Sequence, residues 1–85
     1  MRPVLTADQT TGDTFKGTNS FRFLTTGASA TNKLYLEVFS PENDWIPIRE
    51  FDDEGLDWQQ ASAGLTLRFR AESTGIKVWV DNGGP

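Results

Sequence analysis

The feature that most limits what this chain can become is a hydrophobic period of two, repeated in short runs and broken each time by turn residues. In Leu65-Thr66-Leu67-Arg68-Phe69-Arg70-Ala71, the apolar side is Leu65, Leu67, Phe69 and Ala71; Thr66, Arg68 and Arg70 take the other. Lys33-Leu34-Tyr35-Leu36-Glu37-Val38-Phe39 groups Leu34, Leu36 and Val38, leaving Tyr35 and Phe39 on the polar side. Ile76-Lys77-Val78-Trp79-Val80 groups Ile76, Val78 and Val80, which turns Trp79 outward. Successive side chains of a strand point to opposite faces, so this alternation marks half-buried strands. The β-branched and aromatic residues in these runs suit a pleated surface.

Weaker runs complete the pattern. Residues 20–25 place Phe21 and Phe23 inward and Arg22 outward, residues 44–48 carry Trp45, and residues 56–60 centre on Trp58. Residues 13–16 and 3–6 add two short candidates. Pro47 lacks an amide hydrogen for the ladder, which puts its strand at an edge or a bulge. Ser40-Pro41-Glu42-Asn43-Asp44 has turn chemistry, and Glu72-Ser73-Thr74-Gly75 is expected to join the last two strands as a hairpin. Residues 52–63 lack a helical period. The expectation is an all-β fold: a small antiparallel β-sandwich, Ig-like or jelly-roll-like, with seven or eight short strands. Residues 20–82 form the sandwich domain, residues 1–19 an N-terminal arm or edge segment, and residues 83–85 a flexible tail.

Composition narrows the chemistry. The 85 residues contain no His and no Cys. The commonest general base near neutral pH is therefore missing, as are thiolate nucleophiles and the commonest transition-metal ligands. No nucleophile elbow, phosphate loop or metal-ligand spacing is present. No catalytic, cofactor-binding or metal-binding residue is expected, and the chain is read as a non-enzyme. Glu50, Asp52, Asp53, Glu54 and Asp57 cluster around Gly55, but their spacing is not that of a calcium loop, and a solvated connection is the simpler reading. Eight Lys and Arg stand against twelve acids, a net charge of −4, which disfavours nucleic acid and anionic membranes. The apolar runs are too short to span a bilayer. Met1-Arg2-Pro3-Val4-Leu5-Thr6 carries no apolar core of a secretory signal, so synthesis in a cytoplasm without export by the general route is expected.

What remains is a surface that binds. Tyr35, Phe39 and Trp79 are outward aromatics, and Arg68 and Arg70 share one outward face. Aromatic residues and Arg are the side chains that dominate protein interfaces. These five are the candidate partner-binding residues. Arg22 and Lys77 would extend the two arginines into a basic stripe if their strands were neighbours. Pairing of the arginines with Glu37 across a sheet is the alternative. Stacking of exposed Trp residues on sugar rings is a further possibility for Trp45, Trp58 and Trp79.

Taken in order, Leu34-Tyr35-Leu36-Glu37-Val38, Pro41-Glu42-Asn43-Asp44-Trp45-Ile46-Pro47-Ile48, Leu67-Arg68-Phe69-Arg70-Ala71 and Gly75-Ile76-Lys77-Val78-Trp79-Val80 resemble the small β-sandwich structural proteins of tailed bacteriophages. The turn before Trp45 lacks the paired glycines often seen there. The resemblance spans residues 33–82 and implies a virion protein, head decoration (cement) foremost. A neck or tail accessory protein, or a carbohydrate- or host-surface-binding module, are the alternatives. The partners it implies are the major capsid protein or other virion proteins, with a homo-dimer or trimer at a symmetry position of the shell.

Overall fold

A computed structural model describes residues 1–17, 19–61 and 64–81. They form eight strands and, among the described residues, no helix: β1 (Arg2–Leu5), β2 (Phe15–Lys16), β3 (Asn19–Thr26), β4 (Leu34–Phe39), β5 (Trp45–Phe51), β6 (Gly55–Ala61), β7 (Thr66–Ala71) and β8 (Lys77–Asp81). Two four-stranded sheets result, ordered β1-β8-β3-β6 and β2-β7-β4-β5. Every pairing is antiparallel. The two orders are those of an eight-stranded jelly roll. Of the two alternatives that the strand pattern left open, the chain takes this one.

The alternation creates the core. Phe21 and Phe23 of β3, Leu34 and Leu36 of β4, Leu67 and Phe69 of β7, and Val78 and Val80 of β8 are all buried. Phe15, Phe21, Phe23, Phe51 and Phe69 form one ring cluster with centroids 5.1–5.9 Å apart in the contacting pairs. Offset and edge-on rings of this kind add to simple area burial. Leu65 departs from its expected place on that face. It lies just before β7 and is exposed.

The chain changes sheets at every connection but one. β4 and β5 form a hairpin: Asn43 donates its amide to the carbonyl of Ser40 (3.0 Å) and takes a left-handed conformation (φ 66°). The expected hairpin between β7 and β8 is not formed. β7 pairs with β2 and β4, whereas β8 pairs with β1 and β3. The reason is that each strand has one apolar face. Packing those faces against each other across the interior buries both, which lying side by side does not. Residues 72–75 therefore arch over the open end. Hydrogen bonds from Glu72 to Lys33, Ser73 to Asn32 and Gly75 to Ala7 hold them there.

The polar N-terminal stretch is built into the sandwich. Val4, Leu5 and Phe15 are core residues. Residues 10–17 run along the free edge of β7: the amides of Gly12 and Gly17 donate to Phe69 and Leu65, and the amide of Ala71 donates to Thr10. The segment is thus an edge element rather than an arm that waits for a partner. Its polarity reflects an edge strand whose other side faces water. Residues 82–85, which include the expected tail, lie outside the described residues.

Candidate functional site

β5 explains how the outer surface of the second sheet is assembled. Phe51 and Arg49 stand opposite Leu34 and Leu36, on the inner side. Ile48 is then an extra residue, because the register jumps from Leu36↔Arg49 to Glu37↔Pro47. One inserted residue reverses the faces of everything beyond it. Pro47 and Trp45 consequently point outward, opposite Glu37 and Phe39. Pro47 is tolerated because β5 is the edge strand of its sheet.

The result is a continuous ladder across β7, β4 and β5. The Arg70 guanidinium lies 4.7 Å from the centre of the Tyr35 ring, and its Nε donates to Glu37 Oε2 at 2.9 Å. Arg68 Nε donates to Glu37 Oε1 at 2.8 Å. Its guanidinium lies over Trp45, 4.2 Å from the ring centre, and Trp45 meets Phe39 with centroids 5.1 Å apart. Glu37 is buried beneath this cover, with its side chain 4% exposed. Burial by itself would raise its pKa. The hydrogen bonds and charges of Arg70 and Arg68 outweigh that effect and hold it below the usual value. Two guanidiniums over one carboxylate leave the ladder with one excess positive charge.

Four of the five candidate binding residues, Tyr35, Phe39, Arg68 and Arg70, therefore meet on one face. Trp79 does not join them. It lies on the outer face of the other sheet, opposite Pro3 and Leu24, and is half-buried. The basic stripe is divided in the same way: Arg22 and Lys77 belong to β3 and β8, and Arg22 pairs with Asp81. Sequence reasoning missed Trp45 as a member of the ladder, because alternation cannot anticipate a bulge. Pro47 was the available sign of one.

A second feature lies at β6, beside the β5 edge. Leu56 and Trp58 of β6 are 62% and 58% exposed. Arg49 reaches across from β5, donating to Asp57 Oδ2 (2.9 Å), Gln59 Oε1 (3.1 Å) and the carbonyl of Trp58 (3.0 Å). The Trp58 amide donates to Asp57 Oδ1 at 2.7 Å. An open groove of about 360 Å³ is lined by Arg49, Asp57, Trp58, Gln59 and Gln60. The acidic loop before β6 is dispersed: Glu54 accepts from the amide of Gly27, and Asp57 from Arg49. Among the described residues, no three acidic side chains converge as metal ligands.

No family model matches this chain, and neither the curated proteins nor the solved structures compared with it yield a match.

Proposed function

We propose that this protein is a structural component of a tailed-bacteriophage particle, a decoration (cement) protein that binds the assembled head from outside and stabilises it. The observation that carries the proposal is the ladder Tyr35–Arg70–Glu37–Arg68–Trp45–Phe39. It presents the side-chain types that dominate protein interfaces. Their mutual contacts hold them in place before binding, so little rotamer freedom is lost on docking. Its single excess positive charge favours an acidic or carbonyl-rich patch on the major capsid protein. The resemblance of residues 33–82 to phage structural proteins supports the particle. The jelly-roll strand order, which recurs in viral capsid and lectin domains, is compatible with it but does not single it out.

The mechanism is mass action. A protein that binds the assembled lattice and not its dissociated subunits shifts the equilibrium toward the lattice. The gain is about 2.7 kcal/mol per site when the free protein is at a hundred times its dissociation constant. No catalysis is assigned to the chain. Dimers or trimers at lattice axes would multiply weak contacts.

Co-sedimentation with heads of the virus that encodes the chain, with bound copies counted, tests the reading. Binding at a ratio comparable to the capsid subunits supports decoration. Copies limited to a vertex ring would assign the chain to the neck or tail instead. No binding to heads refutes the proposal.

A further inference from the structure

We propose that the outer face of the sheet ordered β1-β8-β3-β6 is a self-association surface that takes a second copy of this chain, face to face about a two-fold axis. Parity defines the face. Phe21, Phe23, Val78 and Val80 are buried, so Arg22 and Leu24 of β3 and Trp79 and Asp81 of β8 point outward. Trp79 stands opposite Pro3 on one side and Leu24 on the other, and Leu24 stands opposite Leu56. Pro3, Trp79, Leu24 and Leu56 thus form one apolar row across all four strands. The next row is Asp81, Arg22 and Trp58. Leu56 and Trp58 are 62% and 58% exposed, Pro3 is exposed, and Leu24 and Trp79 are half-buried. A contiguous apolar band on the outside of a small acidic domain marks an interaction surface.

The order of the rows selects the occupant. A two-fold parallel to the strands, between β8 and β3, lays β3 of the second copy over β8, and β1 of the second copy over β6. Each row then meets itself in reverse. Trp79 packs on Leu24 of the second copy, Leu56 packs on Pro3 of the second copy, and Lys77 faces Thr26 of the second copy. Asp81 faces Arg22 of the second copy. Asp81 and Arg22 already pair within one chain, so the four side chains close a ring of alternating charge about the axis. Two sheets stacked with aligned strands make an ordinary sandwich contact. Joining edge to edge is blocked at β6, because Asp57 and Arg49 hold the Trp58 amide and carbonyl, and Gln59 holds the Gln60 carbonyl. The face measures about 19 Å across its strands and about 20 Å along them, so two copies bury on the order of 1,000 Å². That is the lower limit for a specific interface and suits a reversible dimer. The ladder lies on the other sheet and stays uncovered in both copies, so the inference does not depend on the head-binding proposal.

The experiment is sedimentation equilibrium of the full chain across a concentration series. The expected result is a reversible monomer–dimer equilibrium with a dissociation constant on the order of 10–100 µM. Leu56→Lys puts an ammonium group into the apolar row and should weaken the dimer at least about tenfold. Leu56 is exposed, so the variant should keep the circular dichroism of the wild type. A charge exchange tests the axis. Arg22→Asp and Asp81→Arg should each be monomeric alone, because like charges then face each other across the two-fold. An equimolar mixture of the two should dimerise, because each Asp then meets an Arg. The pair within one chain is lost in both variants, so it cannot produce that recovery. A wild-type chain that stays monomeric up to about 1 mM, a dimer that Leu56→Lys leaves intact, or a mixture no more associated than its two components overturns the proposal.

Discussion

Glu37→Gln probes the ladder with the smallest change of shape. The carboxylate is almost fully covered and accepts from Arg68 and Arg70 at 2.8 and 2.9 Å. Hydrogen bonds to a charged group contribute about 1.5–3 kcal/mol each. The amide keeps one acceptor, and Arg70 is partly screened by water, its side chain being 37% exposed. The net loss should then be about 2–3 kcal/mol, a large share of the stability of so small a domain. At about 4–8 °C per kcal/mol, the melting temperature should fall by roughly 8–24 °C at pH 7. The pH dependence has a definite sign. The pKa of Glu37 lies below its unfolded value near 4.5. Its contribution is therefore complete above that value and disappears as the pH falls through the lower folded value. Thermal melts of wild type and variant from pH 7 down to about pH 3 should show a constant gap that narrows only in the acid range. A melting temperature within about 2 °C of wild type at pH 7, or a gap that widens on acidification, would refute the assignment of Glu37 as the charge-bearing centre of the ladder.

Three further substitutions test other parts of the account. Gly12→Ala would drive a methyl group into the carbonyl of Val4, with that of Phe69 3.1 Å away; a loss of about 2 kcal/mol or more by urea denaturation is expected, and a neutral result would mean that the N-terminal run is not seated on β1 and β7. Arg49→Ala removes the donor that covers the Trp58 carbonyl and leaves an uncovered strand edge; light scattering should show a concentration-dependent mass above that of the wild type, whereas a mass equal to the wild type's would show that β6 needs no such cover. Trp79→Ala should leave the protein folded with a loss of about 1–2 kcal/mol and leave head binding unchanged, because Trp79 lies on the sheet opposite the ladder; loss of head binding would move the docking face to that sheet.

Much of the fold was legible because alternation is a local signal. The strand around Phe21 and Phe23, and those holding Leu36, Phe69 and Val78, follow directly from which residues can share a buried face. Edge placement of β5 was legible from Pro47. Topology was not: Glu72-Ser73-Thr74-Gly75 has the chemistry of a hairpin turn, but the choice between hairpin and arch belongs to the packing of Leu67 and Phe69 across from Val78 and Val80. The site was legible in part for the same reason. Tyr35, Phe39, Arg68 and Arg70 were placed outward by parity alone, and the cross-strand pairing with Glu37 by charge. Trp45 was hidden by the Ile48 bulge, which reverses parity. Trp79 was placed outward correctly as to its strand, but no local pattern assigns a strand to one sheet or the other. The groove at Trp58 depends on Arg49 reaching from β5 to β6, a contact between two sheets that no short-range spacing encodes.

The most direct test is hydroxyl-radical footprinting of the protein free and bound to purified heads of the phage to which the proposal assigns it, read residue by residue by mass spectrometry. Binding should protect Tyr35, Phe39 and Trp45, with Trp58 as reactive as in the free protein. Protection confined to Leu56, Trp58 and Trp79, with Phe39 and Tyr35 unchanged, would contradict it.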